Sequence, residues 1–278
     1  MKFSLVHPTR GRPEKAEAAF HEWTSKASGH HEIEHVFGID DDDEERSNYQ
    51  AAARRTHSLV VSGPNRSLVE AANRAASRAT GDVVIVVSDD FGCPERWDET
   101  LSALFGARRD LAVLIHDGVS GAILTLPILG RDLVKKLGYV YHPAYHGMFV
   151  DDDLTETTRA LGVLIDARHV TFPHRHFVIG GSPIDATYLR HNQPAKWWRG
   201  WRTYQKRRAS GFGVGPPPAN RFGAAFRVDL YWAARAGGSA ARGTLRRFLP
   251  NRVGRIEQRI RDVTIKALGR SLSVDAPD

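Results

Sequence analysis

The chain has 278 residues, of which 41% are hydrophobic and 26% charged, and a formal net charge of +7. This suits a globular protein of one large domain, or of one domain plus an appendage, and excludes a disordered or fibrous chain. The longest apolar runs, residues 83–87 and 122–129, fall short of the roughly 20 residues that a membrane-spanning helix requires. The N-terminus has neither the basic flank nor the long apolar stretch of a secretory signal. A single cysteine, Cys93, excludes an internal disulfide, and together these features predict a cytoplasmic protein.

The positive charge is unevenly spread. Residues 1–196 carry 22 Lys/Arg against 27 Asp/Glu, whereas residues 197–270 carry 17 against 3. The basic character therefore belongs to the C-terminal third and points to an anionic partner of that segment.

In chain order, residues 3–6 read as a strand that stops at His7-Pro8-Thr9-Arg10-Gly11-Arg12-Pro13, and residues 14–26 have helical spacing through Ala16, Ala19, Phe20 and Trp23. Residues 33–39 alternate into a second strand ending on the acidic run 40–45, and residues 59–61 supply a third. Residues 65–80 are predicted helical, with Leu68, Ala71, Ala72, Ala75, Ala76 and Ala79 on one side and Gly81 as the expected C-terminal stop. Residues 83–87 are aliphatic without alternation, as in a central strand covered on both faces. Later signals are strand-like at 112–115 and 121–129, an amphipathic turn at 133–137, an acidic helix start at 151–161, and a strand through 169–176. Alternating strands and helices predict an α/β fold whose ligand site lies beyond the carboxyl ends of mostly parallel strands. The polar residues after the strands, Thr9 and Arg10, Asp40, and Ser88-Asp89-Asp90, are the ones to read for chemistry.

Two adjacent carboxylates at a strand end repel, and a divalent cation removes that cost. Mg²⁺ and Mn²⁺ are commonly held by one or two carboxylates plus phosphate oxygens. A solvated turn is the plain alternative for Asp89-Asp90 taken alone.

Over about residues 1–165 the motifs resemble the GT-A glycosyltransferases, within them the large family two group. The segment from His7 to Pro13 looks like that family's opening strand and loop, Asp40 stands where its nucleobase-contacting aspartate follows the second strand, and residues 66–76 resemble its Arg-Asn-containing helix. Gly81-Asp82, the strand to Asp90, Pro94 and Trp97 look like its Asp-X-Asp strand and the stretch beyond, with Ser88 replacing the first acid. Asp151-Asp152-Asp153-Leu154 resembles its Glu-Asp-X-Asp-Leu segment, with Val150 at the glutamate position.

The resemblance implies a GT-A mixed, mostly parallel sheet flanked by helices, with a basic helical C-terminal extension. It implies a catalytic domain over 1–195, its nucleotide-sugar half at 1–110 and its acceptor half at 111–195, followed by the extension at 196–278. The activity implied is metal-dependent, inverting transfer from a nucleotide-diphosphate sugar to a hydroxyl acceptor, a glycan or lipid-linked glycan. Pro8, Thr9, Arg10, Asp40, Arg66, Asn73 and Asp89 would contact the donor. Asp90 and a histidine, His176 in preference to His174, would hold Mn²⁺ or Mg²⁺. Asp151 would be the general base, with Asp152 one residue away as the alternative.

Three other readings stay open: transfer to modified DNA, a catalytically lapsed GT-A binding module (motivated by Ser88 and Val150), and a nucleotidyltransferase, for which the glycine-rich phosphate loop is missing. Trp97 and Cys93 read as packing residues, and His30, His31, His35 and His57 lack convincing partners. The interleaved Lys196-Trp197-Trp198-Arg199-Gly200-Trp201-Arg202 suits a nucleic acid, a membrane surface with peripheral association, or a helix that packs its tryptophans and exposes its arginines. A second amphipathic helix, over 253–267, has Arg-rich outer faces.

Overall fold

Among the described residues of the computed structural model, seven strands form one sheet, in the order β3-β2-β1-β4-β6-β5-β7. The residues described are 1–118, 121–175 and 194–216, all within one unit, residues 1–219. β1 (Lys2–Pro8), β2 (Glu32–Asp40), β3 (Leu59–Gly63) and β4 (Val83–Val86) are parallel. β6 (Ile128–Gly130) is antiparallel to both β4 and β5 (Ala112–His116), and β5 is parallel to β7 (Leu164–Thr171). Every strand except β6 therefore delivers its carboxyl end to the same edge of the sheet.

The aliphatic β4 is buried along its whole length, as its lack of alternation predicts. One face of the sheet packs Phe3, Leu5, Ile85 and Val113 with Trp23 of α1 (Pro13–Ser25) and Trp97 of α4 (Trp97–Phe105). Trp97 Nε1 donates to the Trp23 carbonyl at 2.7 Å, and Trp23 Nε1 donates to the Phe91 carbonyl at 3.0 Å. Each buried ring contributes large apolar area while its one donor is satisfied, and the second bond fixes the chain just after Asp90. Cys93 is buried there too, and burial pushes its thiol up to about 12, so it is no nucleophile at neutral pH.

α2 (Arg46–Thr56) is absent from the sequence reading because its run of Ala, Gln and Arg has a weak apolar stripe. It packs Tyr49, Ala52 and Ala53 against Phe37 and Ile39. α3 (Leu68–Ala76) is shorter than predicted, since Ser67 caps it by accepting from the Glu70 amide at 3.1 Å. Gly81 does not stop that helix. It leads into β4, where a Cβ would lie 2.6 Å from Ser4 Oγ and 2.8 Å from the Lys2 carbonyl, and its amide donates to Ser4 Oγ at 2.8 Å. The strand expected over 121–129 is reduced to the three residues of β6.

The later part of the unit holds α5 (Arg131–Leu137), α6 (Val150–Ala160) and α7 (Pro194–Ala209), the last followed by a short turn, Gly211–Gly213. Although most of α7 lies in the region expected to form a separate extension, it packs on the N-terminus of α6. Phe149 sits within 5.2–6.0 Å of the rings of Trp197, Trp201 and Tyr204, and a Cβ at Gly200 would meet the Met148 carbonyl at 2.6 Å.

Candidate active site

The strand ends place the predicted side chains in two groups. In the first, at β1 and β2, Arg10 Nη1 lies 2.9 Å from Asp40 Oδ2 and 2.5 Å from Asp42 Oδ1. Burial raises the Asp40 carboxyl, with Arg10 opposing. Pro8 ends β1 opposite Gly38. Asp43 accepts the Gly11 amide at 2.9 Å and so shapes the loop after β1. Arg66 is well exposed and lies 3.5 Å from Glu70, at the rim.

Asn73 behaves differently from the expectation that it contacts the donor. Its Oδ1 accepts the amides of Val140 and Tyr141, both at 3.0 Å, and its Nδ2 donates to the Tyr141 carbonyl at 2.7 Å. The side chain is a clamp on a loop 68 residues away, with its acceptor capacity spent.

Asp89 is likewise held by protein groups. His7 Nε2 lies 3.0 Å and Thr9 Oγ1 3.1 Å from its Oδ1, and Arg12 Nη1 lies 3.3 Å from Oδ2. The chain of contacts continues inward, His7 Nδ1 to His35 Nε2 at 3.3 Å and His35 Nδ1 to Ser58 Oγ at 2.8 Å. A donor order from Ser58 through both rings to Asp89 satisfies every ring nitrogen, and burial together with His7 lowers the pKa of His35 well below its ordinary value. His35, given no partner from sequence, thus has two. Thr9 also meets the hydroxyl of Tyr49 at 3.0 Å, a residue missed because α2 was missed.

The second group gathers at β4, β5 and the chain after β7. Asp90 Oδ1 accepts from Ser88 Oγ at 2.5 Å, and Oδ2 lies 3.3 Å from His174 Nε2. His174 reaches Asp90 because it bridges Phe91 in antiparallel fashion, with the Arg175 amide donating to the Asp90 carbonyl at 2.8 Å. Behind the ring, Asp117 Oδ2 is 3.9 Å from Nδ1. Burial disfavours charge on His174, yet the bonds to Asp117 and Asp90 lift its pKa to about 9. Burial also acts to raise the Asp90 carboxyl and is outweighed by His174 and Ser88, which hold it at about 2. His176, the preferred ligand from sequence, lies outside the described residues, and among those described His174 is the histidine at Asp90. Asp117 was not singled out, although its place at the end of β5 is the same signal that marked Asp40 and Asp90.

Asp90 and His174 are a carboxylate and an imidazole within 3.3 Å, donor types that suit a divalent cation, and Asp117 lies behind the ring where a carboxylate orients a metal-bound imidazole. Among the described residues no three His, Cys, Asp or Glu side chains are arranged to hold an ion, so the remaining ligands would be phosphate oxygens and water.

Asp151 and Asp152 open α6 and have different surroundings. Burial raises Asp151 to about 8, with Asp152 adding repulsion, Tyr141 and His174 opposing, and Asp117 contributing. Burial raises Asp152 to about 7, but its charged neighbours are Glu156 and Asp153 of its own helix. One oxygen of each, Oδ1, is buried without a hydrogen-bond partner. The preceding residue, Phe149, has φ +69°, a left-handed conformation costly for a bulky side chain and kept where the surroundings impose it. Asp153 is taken up by Arg207, Tyr145 and Thr157.

Neither a protein-family model nor a curated protein sequence matches the chain. Solved structures do. S. aureus TarS 1–349 in complex with UDP-GlcNAc superposes with a TM-score of 0.57 at 15% identity, over 75% of this chain and 67% of that one. Glucosyl-3-phosphoglycerate synthase from Mycobacterium tuberculosis, in complex with Mn²⁺, UDP and phosphoglyceric acid, gives 0.52 at 15% identity, over 78% and 81%. The fold is GT-A. The GT-A region spans 36% of one TarS structure and 59% of TarS 1–349 in complex with UDP. In this fold the first group of residues lies at the ends of β1 and β2, and the second at the ends of β4 and β5 and in the chain after β7.

Proposed function

We propose that this chain is a nucleotide-sugar-dependent, inverting glycosyltransferase. The observation that carries the reading is the second group. One ion-pairing carboxylate at a strand end, Asp90, shares His174 with Asp117, and the buried carboxyl of Asp151, near the start of α6, has Tyr141 and His174 acting on it and one oxygen, Oδ1, without a hydrogen-bond partner. The solved structures of the same fold that carry UDP-GlcNAc, or UDP with Mn²⁺, support a nucleotide-sugar donor.

Thr9, Arg10 and Asp40 would line the nucleotide, Asp40 accepting from the base and Arg10 balancing its charge. Mn²⁺ or Mg²⁺, held by Asp90 and His174, would supply neutralisation of charge on the diphosphate. Asp151 is the better candidate for the base, because Tyr141, His174 and Asp117 act on its carboxyl whereas the charged groups acting on Asp152 are Glu156 and Asp153 of its own helix. It would take the proton of an acceptor hydroxyl as that oxygen bonds to the anomeric carbon and the bond to the diphosphate breaks, a single displacement that inverts the centre. Its high pKa matches the task, since a base working near neutrality gains from a pKa near the operating pH. Asp89 would act indirectly, fixing the loop of Thr9 and Arg12.

The test is a thermal-shift panel of nucleotide sugars with and without Mn²⁺ or Mg²⁺, followed by transfer assays on Asp90→Ala and Asp151→Asn. A ligand at 100 times its Kd stabilises the folded state by about 2.7 kcal/mol. Stabilisation requiring both donor and metal, lost in Asp90→Ala, supports the reading. Donor binding without turnover across acceptors would instead favour a lapsed binding module. The acceptor is a glycan or lipid-linked glycan, with modified DNA as the alternative, and the basic C-terminal region binds an anionic surface; no helix among the described residues is long and apolar enough to cross a membrane.

A further inference from the structure

Helix α7 has two faces of different character. Its inward face presents Trp197 (6% exposed), Gly200 and Tyr204 (2% exposed) to Phe149 and the start of α6. Its outward face carries Trp198, 57% exposed, together with exposed Arg199, Arg202 and Lys206. At 3.6 residues per turn, positions 198, 199, 202 and 206 fall within an arc of about 100°, so they share one stripe of the helix. Among the described residues no carboxylate pairs with the charged end of Arg199, Arg202 or Lys206, although other arginines of the unit, such as Arg55, Arg96, Arg168 and Arg207, each find one. Trp198 keeps one edge-on contact with Trp197, 4.9 Å between ring centroids, and the rest of its indole lies in water beside these three cations.

We propose that this stripe docks the protein on an anionic lipid bilayer, Trp198 entering the headgroup zone and Arg199, Arg202 and Lys206 lying over lipid phosphates. The inference rests on the reading of the basic region as binding an anionic surface, and it names the surface and the residues. Two observations favour lipid over nucleic acid. A nucleic-acid platform stacks successive bases on several open rings in a groove, whereas here Trp197 and Tyr204 are turned inward, Trp201 stacks between them, and one indole is well exposed on a convex helix. An interfacial helix needs that combination of one inserted aromatic and flanking cations. Because the inward face of α7 holds the start of the helix bearing Asp151, docking would bring the acceptor side of the unit to a lipid surface.

The experiment is co-sedimentation of the full chain with phosphatidylcholine vesicles, with and without phosphatidylglycerol, compared among wild type, Trp198→Ala and the triple variant Arg199→Gln, Arg202→Gln, Lys206→Gln. Each basic residue near an anionic surface contributes about fivefold in affinity, so the triple variant should bind phosphatidylglycerol vesicles roughly a hundredfold more weakly. Trp198→Ala should weaken binding and reduce the blue shift of tryptophan emission on vesicle addition. Unchanged thermal unfolding of the variants separates these effects from misfolding, since the substituted side chains are exposed. Strong vesicle binding that survives in both variants would assign the anionic surface to another basic segment and overturn the inference while leaving the broader reading intact. Absence of vesicle binding, with tight binding of a DNA oligonucleotide, would overturn the choice of lipid.

Discussion

Arg207 and Asp153 form a buried two-point ion pair, with Nε 2.8 Å from Oδ2 and Nη2 3.0 Å from Oδ1. The pair joins α7 to α6 two residues beyond Asp151, and Tyr145 completes it by donating to Oδ2 at 2.9 Å. A residue of the basic region is thereby part of the framework of the proposed catalytic helix.

Breaking that pair from one side leaves a carboxylate that is 1% exposed without its counter-charge. Arg207→Leu is expected to cost about 3–5 kcal/mol. Urea unfolding measures it, and Arg207→Leu combined with Asp153→Asn should recover part of the loss. Equal destabilisation by the single and double variants would remove the pair from the argument.

Asp90→Ala is predicted to lose transfer activity by at least about a hundredfold, the scale of losing one electrostatic contact to a developing charge. Asp89→Asn should lose less than Asp90→Ala, because Asp89 is bonded to His7, Thr9 and Arg12 and acts through the loop. Steady-state kinetics at saturating Mn²⁺ tests the order of the two effects.

Asp151 should give kcat/KM an ascending limb that levels off above about pH 8, since the base must be ionised and burial holds its proton in the free protein. In Asp151→Asn this limb should vanish along with nearly all turnover. A flat profile in the wild type between pH 6 and about 9 would contradict the assignment.

The same burial makes a stability prediction of opposite sign to the usual acid. Folded Asp152 titrates near 7 and its unfolded form near the ordinary value of 3.8, so the folded state keeps a proton that the unfolded state releases between those values. Stability from this group is therefore present at low pH and falls as pH rises through that window. Asp152→Asn should stabilise the protein at neutral pH by about 1–3 kcal/mol, with no gain at pH 4, as differential scanning calorimetry at the two pH values would show.

Glu34 should behave conversely. Burial acts to raise its carboxyl and is outweighed by Ser4, Thr80 and Lys2, which hold it at about 2. Its contribution is present above the ordinary value of 4.5 and lost as pH falls toward 2. Glu34→Gln is predicted to cost about 1–2 kcal/mol at pH 7 and little near pH 2, measured by urea unfolding at both.

Much of the parallel part of the sheet was legible because its strand ends announce themselves: an aliphatic run followed by polar residues marked the ends of β1, β2 and β4 at Thr9 and Arg10, Asp40, and Asp90. The role of Asn73 was not legible, since its partners are backbone groups of residues 140 and 141, and nothing in a helix pattern reports what lies across the sheet. His35 was passed over for the same reason, its partners His7 and Ser58 standing on neighbouring strands. α2 was lost because Ala and Arg give little periodic contrast.

By itself the sequence determined the alternation of strands and helices, the strand-end carboxylates, and the separation of charge between the two parts of the chain. These are local properties, written in apolar spacing and in residue type. Tertiary structure decided the surroundings of each adjacent acid. Asp89 is bonded to His7 and Thr9 at the end of β1 and Asp90 pairs with His174, while His174 and Asp117 act on Asp151, Glu156 of the same helix acts on Asp152, and Asp153 pairs with Arg207. Neighbours in sequence share composition and spacing, but on a loop or a helix start their side chains leave in different directions, and their environments come from strands and helices far away along the chain.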